Sequence, residues 1–267
     1  MFAGSHRTPN ELSGPATMDK PSWLRLLNDP ALDGPVNMAR DEALLDAVGQ
    51  GQAPATLRLY QWSSPTISLG YFQPYAAYEA LPSPAGSLPV VRRLTGGGAI
   101  LHDLELTYSI VFPAGHPLVE GGAHRLYELA HEGIIASLHR LGLSAAPSGQ
   151  TDDSSARSGP FFCFDRRHRY DLVIGKKKIA GSAQRRRRDA VLQHGSIILG
   201  NRYAQQITAK LDVPFDRSMK HAPETVASAI AMAMGLTLVA GAWSDREIAA
   251  LDSLVTKYAD DTWSRRT

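Results

Sequence analysis

A single cysteine, Cys163, is all that a chain of 267 residues provides. One thiol excludes an intramolecular disulfide and points to a reducing compartment, so a cytoplasmic location is expected. Long apolar runs are missing too. No stretch approaches the roughly 20 residues of a membrane-spanning helix, and the N-terminus lacks the apolar core of a secretory signal. Charge of one sign is scarce: 28 Lys+Arg against 26 Asp+Glu leave a formal +2, so bulk electrostatics give no reason to bind nucleic acid. The cations cluster locally instead, in Lys176–Lys178 and Arg185–Arg188. No nucleic-acid module accompanies the arginine run, and no internal repeat is present. Three histidines, His124, His131 and His139, fall on or near one predicted helix without the i,i+4 pairing of a metal site. They read as solvated helix residues.

What remains is a chain whose 43% hydrophobic content supports a sizeable core. Residues 1–20, rich in Gly, Ser, Pro, Thr and Asn, read as a disordered leader. No linker follows residue 22, so residues 21–267 read as a single domain. Its pattern alternates strands and helices. Trp23–Leu27 is strand-like, and Met38–Val48 has helical spacing with Asn37 as candidate N-cap. Thr56–Trp62 and Thr66–Phe72 are strand candidates, the first alternating as a half-buried antiparallel strand does. The longest amphipathic helix is predicted near Gly122–Leu141, and Ala146–Pro160 is a Ser/Gly/Asp-rich loop. Tyr170–Ile174, Lys178–Arg185 and Val191–Leu199 form a predicted antiparallel meander. Helices follow over Ala204–Leu211, Glu224–Met234 and Ser244–Tyr258, the last with a Ser244–Glu247 capping box. The expected fold is α/β (α+β), a mixed, mostly antiparallel sheet flanked by helices.

One stretch stands apart: Arg92-Arg93-Leu94-Thr95-Gly96-Gly97-Gly98-Ala99-Ile100-Leu101-His102-Asp103. Three glycines between strand-like runs let backbone approach a ligand and offer N–H groups to it. Arg92 and Arg93 are expected at one mouth of this loop, His102 and Asp103 at the other. No Gly-Lys-Ser/Thr follows, which excludes a Walker loop. No helix opens after it, which excludes a dinucleotide fingerprint.

Asn37–Leu44, Leu69-Gly70-Tyr71-Phe72-Gln73, Arg92–Asp103, Lys178–Gln184 and His194-Gly195-Ser196 together resemble, in order, the lipoate/biotin protein ligase superfamily. The resemblance spans about residues 23 to 200 and implies a catalytic lysine at Lys178. Phe162-Cys163-Phe164-Asp165, placed fifteen residues before Lys178, resembles the nucleophile segment of its Cys–Lys octanoyltransferases. Lys257–Trp263 is similar to their ending. Without the resemblance, a lone cysteine between phenylalanines reads more simply as a small buried apolar residue.

The resemblance implies transfer of octanoyl from octanoyl-acyl carrier protein to a lysine of a lipoyl-domain protein, such as glycine cleavage H protein or a 2-oxoacid dehydrogenase E2. A Cys163 thioester would carry the acyl group, without a cofactor. The alternative within the superfamily is an ATP-dependent lipoate–protein ligase working through lipoyl-adenylate with Mg²⁺. Gly70, Arg93, Thr95, Gly96, Gly97, Gly98, His102, Gly181, Ser182 and Ala183 are the candidate substrate-binding residues. Lys178 is expected to accept the acceptor amine's proton or to orient the amine while stabilising the tetrahedral oxyanion, with burial and the neighbouring Lys176 and Lys177 pushing its pKa down. The position of Cys163 beside a Ser/Gly-rich loop predicts that it stands away from Lys178 until a partner docks. Arg185–Arg188 are expected to steer acidic partners.

Overall fold

The computed structural model describes residues 22–151, 159–209, 216 and 219–266. The leader over residues 1–20, part of the loop over 146–160 and the end of the helix expected over 204–211 lie outside them. In chain order the elements begin with β1 (Trp23–Leu32), α1 (Gly34–Gly49), β2 (Thr56–Trp62), β3 (Thr66–Leu69) and α2 (Ala76–Glu79). Next come β4 (Val90–Arg92), β5 (Ile100–His102), β6 (Glu105–Pro113), α3 (His124–Arg140) and β7 (Ala146–Pro147). The meander is β8 (Leu172–Ile174), β9 (Lys177–Arg186) and β10 (Ala190–Ile198). The last elements are α4 (Ala222–Ala233), β11 (Thr237–Ala240), α5 (Asp245–Ala249), α6 (Leu251–Ala259) and α7 (Asp261–Arg265).

Eight strands form one sheet in the order β11-β1-β2-β6-β10-β9-β8-β7, and β4-β3-β5 form a second. In the large sheet only β1 pairs in parallel, with β11 and β2. β2–β6, β6–β10, β9–β10, β8–β9 and β7–β8 are antiparallel. The fold is therefore the mixed, mostly antiparallel α/β architecture expected. The strand alternation works differently from the half-buried reading of β2. Leu57 and Leu59 pack beneath α3 and α4, while Tyr60 and Trp62 pack against α1. Helices cover both faces, so even Arg58 is fully buried.

Three helix expectations are corrected. Asp33, not Asn37, caps α1, its Oδ1 accepting from Val36 N–H at 3.0 Å. Pro35 lacks an N–H and so suits the first turn, which moves the start upstream. Asn37 instead donates from Nδ2 to the carbonyls of Leu32 and Gln61, at 3.1 and 3.0 Å, joining helix to sheet. Residues 201–209 carry turns but no helix. The C-terminal helix breaks at Ala250 into α5 and α6, although Ser244 and Glu247 do form the capping box. Ile248, expected on the apolar face, is exposed, whereas Leu251, Leu254 and Val255 pack against the α1 cluster.

Candidate active site

The glycine loop joins β4 to β5, and its two leading arginines are buried beneath it instead of standing at its mouth. Arg92 donates to the carbonyls of Gly70, Tyr71 and Gln73 and to that of Ser264 near the C-terminus. Arg93 donates from Nη2 to Gly96 O and Gly98 O, each at 2.7 Å, and from Nη1 to Ser68 O at 2.8 Å. A guanidinium that satisfies carbonyls on both sides of Gly97 holds the loop in one shape. Burial pulls the Arg93 pKa down to about 10, with Cys163 acting the other way. Gly70 supports the same loop from below. A Cβ there would lie 2.0 Å from Gly97 O, so no side chain is compatible with this approach.

Cys163 opens a short 3-10 turn, Cys163–Asp165, that is tied directly to the glycine loop. Ala99 N–H donates to Phe161 O at 2.9 Å, and Cys163 N–H donates to Ala99 O at 2.6 Å. This backbone pairing carries Cys163 to Lys178. Lys178 Nζ lies 3.5 Å from Cys163 Sγ and 3.2 Å from Cys163 O. The displaced cysteine expected from the sequence is thus corrected: two backbone hydrogen bonds already hold it in place.

Lys178 is buried, yet its pKa is raised, which reverses the expectation. Burial pulls it down, but Cys163 and then Asp171 outweigh that effect. Asp171 Oδ2 pairs with Lys178 Nζ at 2.9 Å, while Lys176 and Lys177 are exposed and turn outward. Asp171 is held by His168 N–H at 2.7 Å. Gly181 makes room for this arrangement, because a Cβ there would meet Lys178 Cε at 2.4 Å. With donors to a carboxylate, a carbonyl and a sulfur, the ammonium is fully engaged.

Two adjoining cavities meet at Cys163. The inner one is walled by Trp62, Ile100 and Phe164 among others and by seven of the expected binding residues: Arg93, Gly96, Gly97, His102, Gly181, Ser182 and Ala183. The outer one is lined by Gly98, Tyr127, Arg166, His168, Asp171 and Lys178 among others. Gly96, Gly97, Ser182 and Ala183 belong to both. An apolar chamber behind a polar entrance, with sulfur and ammonium between them, suits an acyl chain whose carbonyl stops at the sulfur.

Three expected binding residues take other places. Gly70 and Thr95 line neither cavity. Thr95 Oγ1 lies 2.6 Å from His194 Nε2, and His194 Nδ1 lies 2.9 Å from Asp41 Oδ2. Asp41 in turn accepts from Arg58 Nη1 at 2.8 Å and from Tyr60 OH at 3.1 Å. His102 sits at the wall of the inner chamber instead of the loop's mouth. It stacks on Trp62 with ring centroids 3.8 Å apart and bonds Ser68 Oγ and Glu105 Oε1, each at 2.7 Å. Asp103 pairs with Arg202.

The helix histidines divide. His124 and His139 are exposed, as expected, but His131 is buried and faces Ser182. The arginine run is largely engaged within the molecule. Arg185 lies over Tyr71, Arg186 donates to Val119 O, and Arg187 pairs with Glu42 and Asp46. Sequence reasoning missed Asp171, Tyr127 and His131 as neighbours of the lysine. Only Asp171 left a signal, a carboxylate at the head of a short strand just before the lysine strand.

Residues 33–232 match the model of the lipoyl protein ligase A/B catalytic domain. An octanoyltransferase LipM from Symbiobacterium thermophilum is 37% identical, over 92% of this chain and 98% of that protein. Another, from Kyrpidia tusciae, is 35% identical over 92% and 99%. Among solved structures, a lipoate-protein ligase A bound with ATP superposes with a TM-score of 0.71 at 21% identity, covering 91% of this chain and 98% of that one. That likeness concerns the fold.

Proposed function

The chain belongs to the lipoyl protein ligase A/B catalytic domain family, and from that premise we propose a two-step acyl transfer through Cys163. It is an enzyme of protein lipoylation, an octanoyltransferase acting on lipoyl-domain acceptors. The observation that carries the mechanism is the 3.5 Å approach of Lys178 Nζ to Cys163 Sγ at the junction of an apolar and a polar cavity.

The donor in this reading is octanoyl-acyl carrier protein. Its thioester already stores the free energy of the amide to be made, so exchange onto Cys163 is close to isoenergetic and calls for no ATP. The Cys163 thiolate attacks the carbonyl carbon, the new C–S bond forms, and the carrier's sulfur leaves as a thiolate that takes a proton from solvent. The octanoyl tail lies in the inner chamber beside Trp62 and Ile100. Lys178, its cation favoured by Cys163 and then by Asp171, balances charge on the sulfur before attack and on the carbonyl oxygen during it. The acceptor's lysine, on a protein such as glycine cleavage H protein or a 2-oxoacid dehydrogenase E2, then enters through the outer cavity. Its neutral amine attacks the thioester carbonyl, the C–N bond forms as the C–S bond breaks, and the proton the nitrogen sheds goes to the departing sulfur beside Lys178. Splitting the transfer relieves the enzyme of holding two carrier proteins at once.

A direct test compares two acyl sources with a purified lipoyl domain. Octanoyl-acyl carrier protein without ATP is expected to support transfer, and free octanoate or lipoate with ATP and Mg²⁺ is not. Robust ATP-dependent transfer with release of AMP would overturn the thioester route in favour of a ligase.

A further inference from the structure

A third recess reaches Lys178. It shares Lys178 and Asp171 with the outer cavity, and its wall extends from Phe164 to the tip of the β8–β9 hairpin. The hairpin turns in two residues, Gly175 and Lys176, with Ile174 paired to Lys177. Gly175 takes a φ of +60°, the left-handed value that so tight a turn demands. Lys176 and Lys177 therefore stand together on the wall of the recess, and both are exposed. Arg167 braces the turn, donating from Nη2 to Lys176 O at 3.3 Å and from Nη1 to Gln150 Oε1 at 2.9 Å.

The carboxylates of this recess serve other groups. Asp171 pairs with Lys178, and Asp165 Oδ1 accepts from Ile207 N–H at 3.4 Å. Among the described residues, neither Lys176 nor Lys177 has a carboxylate partner. Ile207 lies on the same wall, and its side chain belongs to the few large apolar ones left in solvent, 58% exposed. Two ammonium groups without a counter-charge thus stand beside an open aliphatic surface, in a recess that ends at the lysine touching Cys163.

That combination matches one part of an acyl carrier's thiol arm. The thiol is carried on phosphopantetheine, in which an anionic phosphate adjoins a carbon bearing two methyl groups. Between sulfur and phosphorus the arm has about as many bonds as four extended residues, a reach of roughly 14 Å. Lys176 lies two positions before Lys178, about 7 Å of strand, and its side chain lengthens that span towards the same reach.

We propose that the recess at the hairpin tip is the phosphate subsite of the acyl donor, with Lys176 and Lys177 on the phosphate and Ile207 against the dimethyl carbon. This rests on the reading that carrier-bound octanoyl loads Cys163. No bond or proton changes at the subsite. It holds the arm so that the thioester lies at Cys163, and it leaves the outer cavity to the acceptor's lysine. Lys176 and Lys177, not the arginine run, then select the anionic donor.

The test follows formation of octanoyl-Cys163 by intact mass with two synthetic donors, octanoyl-4′-phosphopantetheine and octanoyl-pantetheine, which differ only in the phosphate. The wild type should react with the first on the order of 10-fold more efficiently, about what two exposed charge pairs supply. High salt should shrink that advantage. In the double variant Lys176→Gln/Lys177→Gln it should fall to within about twofold, while octanoyl-pantetheine reacts at the wild-type rate. Octanoyl-acyl carrier protein should slow in the variant by the same factor as the phosphorylated donor. Equal use of the two synthetic donors by the wild type would overturn the subsite, and so would an advantage that survives the double substitution. Equal slowing towards octanoyl-pantetheine would overturn it too, by showing that the lysines support the site as a whole. Failure of the wild type to form octanoyl-Cys163 from any donor would instead remove the thioester reading, and the subsite with it.

Discussion

Asp171 Oδ2 lies 2.9 Å from Lys178 Nζ, and the two side chains are 8% and 5% exposed. A charge pair this dry is costly to break from one side. Asp171→Asn leaves the Lys178 cation without its carboxylate and is expected to cost about 3–5 kcal/mol in urea unfolding. The pH dependence has a definite sign. Lys178 titrates above its ordinary 10.5, so its contribution is fully present below that value and is lost as pH rises through the folded-state pKa. The stability gap between wild type and Asp171→Asn should stay constant across neutral pH and narrow above about 10.5. A gap that widens with alkalinity would contradict the assignment.

Gly70 and Gly96 separate support of the loop from its surface. A Cβ at Gly70 meets Gly97 O at 2.0 Å, whereas at Gly96 the nearest atom within reach is on Phe72, at 4.0 Å. Gly70→Ala should therefore destabilise by about 1–3 kcal/mol and abolish most transfer, as overpacking against backbone does. Gly96→Ala should leave the melting temperature near wild type. Similar melting temperatures for the two variants would show that the Gly70–Gly97 contact yields without cost.

Much of this architecture was legible in the sequence. The strand at Thr56–Trp62, the meander and the long helix follow from local apolar periodicity, which reports elements one at a time. The joint role of Cys163 and Lys178 came through resemblance to a known family, but their close approach did not, since the cysteine was expected to stand away from the lysine. The pairing of residues 161–163 with Ala99 that enforces it is a long-range contact, and no local pattern announces such a contact. The roles of Arg92, Arg93 and His131 were misread for a related reason. Charged and polar types read as exposed, yet here backbone carbonyls and a serine satisfy them in the interior. Burial of β2 on both faces likewise depended on which helices would cover it.

Acid should unfold the protein through its buried neutral histidines and a small set of carboxylates. Burial raises the pKa of Asp41, but His194 and Arg58 outweigh it. Arg58, Arg40 and Trp243 do the same for Asp29, and Arg25 and Ser244 for Glu247. All three pKa values are depressed, so their contribution is present above the ordinary values, 3.8 for the aspartates and 4.5 for Glu247, and is lost as pH falls through the folded-state values. The urea midpoint should begin to fall below pH 6.5, where burial keeps His131 (pulled down to about 4) and His102 neutral while the unfolded chain takes up their protons, and should fall more steeply below about 4.5 as the carboxylates lose their contribution. Glu247→Gln, which breaks the 2.5 Å pair with Arg25, should lower the midpoint at pH 7 and make the acid fall shallower. An unchanged acid slope in that variant would remove Glu247 from the set.

The thioester on Cys163 is the claim on which the mechanism turns, and intact-mass spectrometry reads it directly. Enzyme mixed with octanoyl-acyl carrier protein, without ATP, should gain one octanoyl group that a lipoyl domain then removes. Cys163→Ala should gain none and transfer none. Its melting temperature should stay close to wild type, because Cys163 is only partly buried. A Cys163→Ala enzyme that passes octanoyl to the lipoyl domain at the wild-type rate would contradict the account.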